Sequence, residues 1–481
     1  MPAPMVKPMT WTDLQSPELA PEALLTVVAL LLALLDAALW PRRASRAGAY
    51  ATLLGLLTAL ALALHAWDRP WRSDTLWLAG DPLAAFADVL ILCGAVLSAL
   101  LAVGAQVSSQ RAGTAILILL ATLGAMLGAG AKDLLTLFVG LELSAISLLA
   151  YQALAAGPGG GHGLRASLRF VGPASVSTVL TAVGIACLWS SSGGPDFDVL
   201  GAGPTAATAA RAAVGGGLLL AGLALRAGAV PFHLWLADVA VGSAPSAAML
   251  TLSVGILPAL IVLGRLVAGP LATLVPELDS LLMLMAVLSS TAGALLVLPQ
   301  RRLRRLLGYA VLAHVGFILA GIATHAGEDP FSGTTWMQLA ALLPAVAGCL
   351  AVSSLAGDAP GITASGLARS QPGQGVLLCL FLVALAGLPP SLAFVGRSAL
   401  WSALSIDAPM SWFMMANGLL LAYGLIRFAG RVVFDEPLPV ATPPATAATV
   451  AAAVLSAAVL LLFGLWPLPI AQAAAMAAGA G

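Results

Sequence analysis

The chain has 481 residues, of which 60% are hydrophobic and 9% are charged, and its mean hydropathy is +1.00. This composition leaves too little polar surface to cover a water-soluble globule, so it excludes a soluble enzyme of two or three domains. The formal net charge of zero argues against a nucleic-acid partner. The composition therefore predicts a protein with many transmembrane segments.

Fourteen apolar runs are candidate transmembrane helices. A helix needs about 20 residues to cross the hydrocarbon, and runs that do not alternate apolar with polar residues disfavour membrane strands. The predicted spans are residues 23–40, 48–66, 83–105, 113–130, 134–156, 168–190, 208–229, 245–268, 281–298, 306–324, 335–356, 375–395, 411–433 and 447–468. The predicted fold class is an all-α polytopic membrane protein of about 14 transmembrane helices.

The positions of Lys and Arg predict the orientation of these spans, because cytoplasmic loops carry an excess of basic residues. Thirteen Arg residues fall in the loops that follow odd-numbered spans, and six Lys or Arg residues fall on the other side. We therefore expect the odd-numbered connections to face the cytoplasm and both termini to lie outside. The densest basic cluster, RRLRR at residues 301–305, is interpreted as a signal of this kind and not as a nucleic-acid or headgroup site.

In chain order, Asp36 and Asp88 lie near the ends of spans one and three, whereas Glu142 lies in the apolar middle of span five, KDLLTLFVGLELSAISLLAYQAL. A carboxylate in this position is costly unless it is paired or protonated. Arg226 of span seven is the partner that we expect for it. The pair could be a purely structural tie, or Glu142 could gain and lose a proton as part of a relay.

Span seven combines a charge with a helix breaker in the run LALRAGAVPFHLW. Arg226 lies within the apolar stretch, where insertion scales assign a lone Arg a cost of roughly 2.5–3.5 kcal/mol. Pro231 has no N–H and frees a carbonyl one turn back, so we expect the helix to break there. A buried charge beside a broken helix indicates an ion pathway, and an Arg that extends to a lipid headgroup is the alternative.

Span twelve repeats this arrangement in LVALAGLPPSLAFVGRSALW, which passes through Pro389 and Pro390 to Arg397. Two interrupted helices in corresponding halves of a chain are typical of a transporter built from repeated units. Between them, His314 in span ten could titrate near neutral pH, although a lone membrane His more often belongs to a hydrogen-bonded core. Four cysteines in apolar runs, without a CxxC pair, predict neither a metal site nor a disulfide.

Four segments in order resemble the signature segments of the antiporter-like membrane subunits of respiratory complex I. They are KDLLTLFVGLELSAISL, LALRAGAVPFHLWLADV, RRLRRLLGYAVLAHVGFILAG and LVALAGLPPSLAFVGR, within a similarity that covers roughly residues 80–435. That family also includes subunits of multisubunit Na⁺/H⁺ antiporters and membrane-bound hydrogenases. Within it, the chain length, the fourteen spans and the absence of a long C-terminal lateral helix are most similar to N-type subunits.

The resemblance implies an organisation that composition alone does not give. Two inverted five-helix repeats would comprise residues 113–268 and 281–433, each with a discontinuous helix, in spans seven and twelve. A polar N-terminal segment (1–22) and three further spans (23–105) would precede the repeats, and a last helix with a tail (447–481) would follow. The resemblance implies a multi-pass protein of the inner (plasma) membrane.

The resemblance also implies a function. Quinone reduction elsewhere in the complex would drive proton transfer along a buried axis, on which a Glu of span five pairs with a Lys of span seven and a further Lys lies in span twelve. No redox motif is present in this chain, so NADH, flavin, iron–sulfur clusters and quinone are expected in partner subunits. The other expected partners are membrane subunits of the complex and the lipid bilayer.

This chain departs from the family pattern at the positions that carry protons. The family's Glu corresponds to Glu142, but the two Lys positions are occupied by Arg226 and Arg397, and span eight has no titratable side chain in its middle. A buried Lys can lose its proton, whereas Arg effectively cannot. Only two of the 21 cations are Lys, so a compositional bias towards Arg is a competing explanation. Our hypothesis is that Arg226 is a fixed charge that favours the ionised form of Glu142, and that this half-channel conducts protons poorly or by another route.

Three other functions remain open at this point. The chain could be a membrane subunit of a hydrogenase or of a cation/proton antiporter complex. It could also be a non-conducting structural paralogue, which the missing Lys residues favour. A stand-alone solute carrier is a more distant alternative, because nothing indicates a substrate pocket apart from the charged axis.

Overall fold

The computed structural model describes residues 20–39, 46–67, 77–105, 112–155, 161–275, 277–324, 333–357, 364–404, 409–437 and 445–477. Most of the predicted N-terminal segment (1–22) lies outside these ranges. The same holds for the basic loop residues Arg42, Arg43, Arg69, Arg72 and Arg111.

The described chain is built from 21 helices, and no β-strand occurs within it. The helices are α1 (Ala20–Leu39), α2 (Arg46–Ala66), α3 (Pro82–Gly104), α4 (Ala112–Ala129), α5 (Leu134–Ala155), α6 (Gly161–Ser192), α7 (Phe197–Gly201), α8 (Ala209–Ala227), α9 (Leu234–Gly242), α10 (Pro245–Leu252), α11 (Leu257–Ala268), α12 (Pro270–Leu274), α13 (Leu278–Val297), α14 (Leu303–Thr324), α15 (Gly333–Leu355), α16 (Leu367–Ser370), α17 (Pro372–Leu385), α18 (Leu392–Ala403), α19 (Pro409–Phe434), α20 (Ala447–Leu465) and α21 (Leu468–Ala477).

Within the described ranges, eleven stretches of helix are long and apolar enough to cross a membrane. Three shorter apolar helices, over Ala20–Leu35, Gly113–Ala129 and Pro372–Leu385, lie at three further predicted spans. The all-helical, multi-pass membrane class is therefore confirmed. The exact number of fourteen spans and the limits of the two repeats stay predictions.

The buried core lies in the central helices. The stretches Pro245–Ala268 and Leu303–Thr324 are each 94% buried over their most apolar part, whereas Ala47–Ala66 and Ala447–Leu465 are each 33% buried there. The latter two helices expose rows of large aliphatic side chains, which is what a lipid-facing helix requires. The central position of α14 places His314, one of the predicted site residues, in the most enclosed part of the molecule.

Two predicted spans contain a break in the helix, and the C-terminal tail differs from the prediction. Predicted span eight keeps its predicted limits but is interrupted between α10 and α11 at residues 253–256, where the Gly255 N–H bonds to the carbonyl of Leu250, five residues back. Predicted span twelve is interrupted as Pro389 and Pro390 predicted, because the chain is not helical between Leu385 and Leu392. The predicted C-terminal tail forms a separate helix, α21, after Pro467 ends the preceding one.

An ion pair fixes one end of the core. Asp81 caps the N-terminus of α3 by accepting a hydrogen bond from the Ala84 N–H, and it binds Arg265 of α11 through both carboxylate oxygens, at 2.6 and 2.7 Å. Burial raises the pKa of Asp81, but the hydrogen bonds and charge of Arg265 outweigh this and hold it below its usual value. The pair ties α3 to α11, the second piece of the interrupted span eight.

Candidate functional site

Small residues bring the helices of the first site into backbone contact. A Cβ atom added to Gly140 of α5 would lie 2.4 Å from the Gly128 nitrogen of α4, and one added to Gly184 of α6 would lie 2.7 Å from the Leu219 nitrogen of α8. Transmembrane helices use such small residues to approach one another closely. The first crossing joins α4 to α5 and the second joins α6 to α8, and α5 also packs against α6, so the polar side chains of α5, α6 and α8 can meet.

Glu142 and Arg226 meet at this junction. The Arg226 Nη2 atom donates to Glu142 Oε1 at 2.6 Å, and its Nη1 atom donates to the carbonyl of Leu141 at 2.7 Å. The second carboxylate oxygen accepts a hydrogen bond from the Thr178 hydroxyl of α6 at 2.9 Å. Only 9% of the Arg226 side chain and 18% of the Glu142 side chain are exposed. The partner expected from the sequence is therefore the partner found.

The first helix interruption follows directly after Arg226. Gly228 caps α8 in the left-handed conformation, with φ of 74°, and the next helix, α9, begins only at Leu234. Pro231 lies in this gap, and the peptide bond before it is cis. The Val230 N–H inside the gap donates to the Ser289 hydroxyl of α13, so the gap is held from the second half of the chain. Arg226 thus lies at the C-terminal, partially negative end of α8, which suits a cation.

The second interruption has the same construction. α17 ends at Leu385, Gly387 follows with φ of 68°, and the peptide bond between Pro389 and Pro390 is cis. Ser391 then caps α18 by accepting a hydrogen bond from the Phe394 N–H. Both prolines predicted to break span twelve lie between the two helices.

Arg397 returns from α18 to the broken end of α17. Its Nη1 atom donates to the carbonyl of Ala386 at 2.6 Å, and its guanidinium carbon lies 4.4 Å from the centre of the Phe317 ring. Arg397 is 1% exposed, and no carboxylate among the described residues forms an ion pair with it. Its charge is therefore met by a helix C-terminus and an aromatic face, both of which attract cations.

His314 lies beside this cation. Its Nε2 atom is 3.0 Å from the carbonyl of Leu385, and its ring lies 6.2 Å, edge to face, from that of Phe317. A carbonyl only accepts hydrogen bonds, so Nε2 carries the proton and Nδ1 is left as the basic nitrogen. His314 and Arg397 thus bind adjacent carbonyls, at Leu385 and Ala386. A proton on Nδ1 would put a second positive charge at one buried helix end.

The structure forms two charged sites, and no hydrogen bond or ion pair between them is present among the four predicted side chains. One is the Glu142–Arg226 pair at the end of α8, and the other is His314 with Arg397 at the end of α17. Between α5 and α10 lies a neutral polar network, in which Tyr151 donates to the Ser246 hydroxyl and Gln152 donates to the Thr251 hydroxyl. The middle of span eight, where the family pattern has a Lys, therefore carries uncharged side chains such as Thr251.

Sequence reasoning missed the uncharged residues that contact the two charged sites. Thr178 and Phe317 each touch one charged site, and a single Thr or Phe in an apolar helix gives no signal of such a role. Asp238 of α9 was missed as well: it accepts from Arg169 of α6 at 2.8 Å and lies 3.9 Å from Arg305 of α14. The basic cluster thus contributes to holding the second piece of the broken helix.

The sequence of the chain is similar to those of known membrane subunits. The family described as "NADH:quinone oxidoreductase/Mrp antiporter, TM" matches residues 131–423. The chain is 31% identical to NADH-quinone oxidoreductase subunit N of Geobacter metallireducens, over 89% of this chain and 93% of that protein. It is 30% identical to NADH-quinone oxidoreductase subunit N 1 of Sorangium cellulosum, over 81% of each chain.

Solved structures share the fold. A chain of respiratory complex I from Thermus thermophilus, solved with bound aureothin, superposes with a TM-score of 0.80 and 27% identity, over 95% of this chain and 99% of that chain. A chain of the Mrp complex from Dietzia sp. DQ12-45-1b gives a TM-score of 0.83 at 19% identity, over 97% of each chain. The second similarity supports the fold alone.

Proposed function

The chain belongs to the NADH:quinone oxidoreductase/Mrp antiporter family of membrane subunits, and from that premise we propose that it is the N-type subunit of a proton-translocating NADH–quinone oxidoreductase. The observation that carries the proposal is the identity of 31% to a subunit N over nearly the full length of both proteins. NADH, flavin, iron–sulfur clusters and quinone are assigned to the other subunits. The chain lies in the inner (plasma) membrane with both termini outside.

Two groups on the proposed pathway can exchange protons. Glu142 is a carboxylate with limited exposure, and His314 presents Nδ1 as a free base at the end of α17. Arg226 and Arg397 hold their protons throughout, because a guanidinium does not deprotonate in a protein. The proposed transfer axis is therefore two titratable groups, each placed next to a fixed positive charge.

The fixed charges limit the proposed transfer. Arg226 donates directly to Glu142, so a proton that arrives on Glu142 must break a buried ion pair. A Lys at that position could pass a proton to and from the carboxylate, whereas Arg226 cannot. We infer that proton passage through this subunit is slow at the Glu142–Arg226 step. The number of protons moved per electron pair tests this inference.

Affinity purification of the full-length tagged chain from its own host tests the assignment. The expected result is a multisubunit complex that oxidises NADH with a quinone acceptor, identified by mass spectrometry of the co-purifying subunits. Co-purification with a hydrogenase, or with a cation/proton antiporter that has no NADH oxidation, would overturn the assignment and support the alternative within the same family.

A non-conducting structural paralogue is the second candidate, and one observation favours it. Arg occupies both family Lys positions, and Arg397 has no carboxylate partner among the described residues. Such a subunit would co-purify with the same complex, so proton counting and not composition separates the two functions. A structural paralogue predicts that no single exchange of Arg for Lys changes the proton count.

A further inference from the structure

A large cavity lies away from both charged sites, among α2, α3, α15, α20 and α21. Its volume is about 590 Å³, which is within the roughly 300–1,000 Å³ of small-molecule sites. α2 packs against α1 and α3, whereas α20 packs against α3 and α15, and the cavity occupies the space between the two. No residue of the proposed proton axis lines it.

The lining is almost entirely hydrocarbon and aromatic. Apart from Cys93 and Ser456, every lining side chain is aliphatic, aromatic or proline. An apolar cavity of this kind does not hold ordered water, because water needs two to four polar partners. A quinone headgroup would likewise find few hydrogen-bond partners. The chemistry of the wall therefore matches a hydrocarbon chain.

The length of the cavity matches one leaflet of a bilayer. It extends along α3 from Phe86 to Leu97, which is about 16 Å at the helical rise of about 1.5 Å per residue. Half of the roughly 30 Å hydrocarbon core is about 15 Å. The length therefore suits one extended acyl chain that lies along α3 within a single leaflet.

The cavity is continuous with the lipid-facing surface. Leu57 and Leu64 of α2, and Leu455 and Val459 of α20, are 36–53% exposed and also line the cavity. Trp67, at the end of α2, contacts Phe86 with tilted rings whose centres are 5.8 Å apart. The two rings lie at the end of the cavity nearer the membrane surface. Tryptophan is favoured at that depth, where headgroups and hydrocarbon meet.

We propose that this cavity binds one acyl chain of a phospholipid from the leaflet at which α3 begins. The acyl chain enters between α2 and α20, and the headgroup of the phospholipid lies near Trp67. Ile470 and Ala473 of α21 close the cavity from the side. The short helix after Pro467 then has a function, since it covers a lipid that bridges the ends of α2 and α20.

Photocrosslinking tests the proposal on the intact complex. The complex is reconstituted in vesicles of phosphatidylethanolamine and phosphatidylglycerol that contain a phosphatidylethanolamine with a diazirine on its acyl chain. The variants Ala340→Phe and Ala473→Phe each place a ring in the cavity. Val454→Phe is the matched control, because residue 454 is 51% exposed on α20 and does not line the cavity. Crosslinked peptides are identified by mass spectrometry.

In the native complex, crosslinks are expected on α3 at Phe86 and Leu90, which are buried and face lipid only through the cavity. Both filling variants should lose most of this label, and the control should keep it. Label on the exposed residues Leu30 and Leu34 of α1 should be equal in all complexes, which verifies folding. An unlabelled α3 in the native complex, or full α3 label in both filling variants, would overturn the proposal.

Discussion

At the scale of single residues, two buried Arg side chains are held in two different ways. Arg226 has a carboxylate partner within hydrogen-bond distance, whereas Arg397 is neutralised by the end of α17 and the ring of Phe317. Arg226 thus forms an ion pair, whereas Arg397 is a cation stabilised by a helix C-terminus and an aromatic ring. Both arrangements keep a permanent positive charge inside the helix bundle, next to a side chain that can exchange a proton.

The Glu142–Arg226 pair was predictable because charged residues stand out in apolar spans. The Thr178 hydroxyl and the Phe317 ring were not, because either residue type is ordinary in a membrane helix. The same holds for the neutral pairs of Tyr151 with Ser246 and Gln152 with Thr251. Polar groups without charge are recognised only once the packing of the helices is known.

A mutant cycle measures how far the pair contributes to stability. Glu142→Gln leaves a buried guanidinium unpaired and Arg226→Gln leaves a buried carboxylate, so each should destabilise the assembled complex by about 3–5 kcal/mol. The double variant should recover much of that loss. The measurement is the thermal unfolding of the purified complexes. Arg169→Gln, which loses a pair that is 62% exposed on the Arg side, is the control and should cost at most about 1 kcal/mol. Additive losses in the double variant would show that the two side chains do not interact.

We expect His314 to affect the number of protons translocated only when protons can pass the Glu142–Arg226 pair. In an Arg226→Lys complex we expect more protons per electron pair than in the native complex, and adding His314→Gln should remove that gain. Gln keeps a donor for the Leu385 carbonyl but has no basic nitrogen. In the native background, His314→Gln should leave the proton count unchanged, because the first site already limits it. A gain that survives His314→Gln would take His314 off the pathway.

At the scale of helices, both interruptions place a C-terminus inside the membrane and a cation against it. Gly228 and Gly387 have left-handed backbones at equivalent points, and prolines follow both. The sequence predicted where the two helices break, since proline lacks the N–H that a helix needs. It did not predict the third interruption, at residues 253–256, because no proline lies between Pro245, in the first turn of α10, and Pro258.

Gly387 leaves the space that the Arg397 side chain occupies at the second site. A Cβ atom there would lie 2.5 Å from the Arg397 Nη1 atom, and a left-handed backbone disfavours any side chain. Gly387→Ala should therefore destabilise the complex by about 1–3 kcal/mol. Gly373→Ala, in the first turn of the same half-helix with nothing within 4 Å of its Cβ position, is the matched control. Equal unfolding temperatures of the two variants would contradict this reading of the turn.

At the scale of the whole molecule, composition and hydropathy were sufficient for the class but not for the arrangement. The apolar runs identified the membrane helices because each helix must satisfy its own backbone in lipid. They could not indicate which helices are central, since buried and lipid-facing runs are equally apolar. The burial of α14 and the exposure of α2 and α20 therefore emerged only from the packing.

We propose that the fixed charge of Arg226 limits proton transfer through this subunit. Protons translocated per pair of electrons can be counted in vesicles that contain either the native complex or the Arg226→Lys complex, with Arg169→Lys as the control. We expect a higher count for Arg226→Lys and an unchanged count for the control. Equal counts in all three complexes, with the native complex at its full stoichiometry, would contradict it.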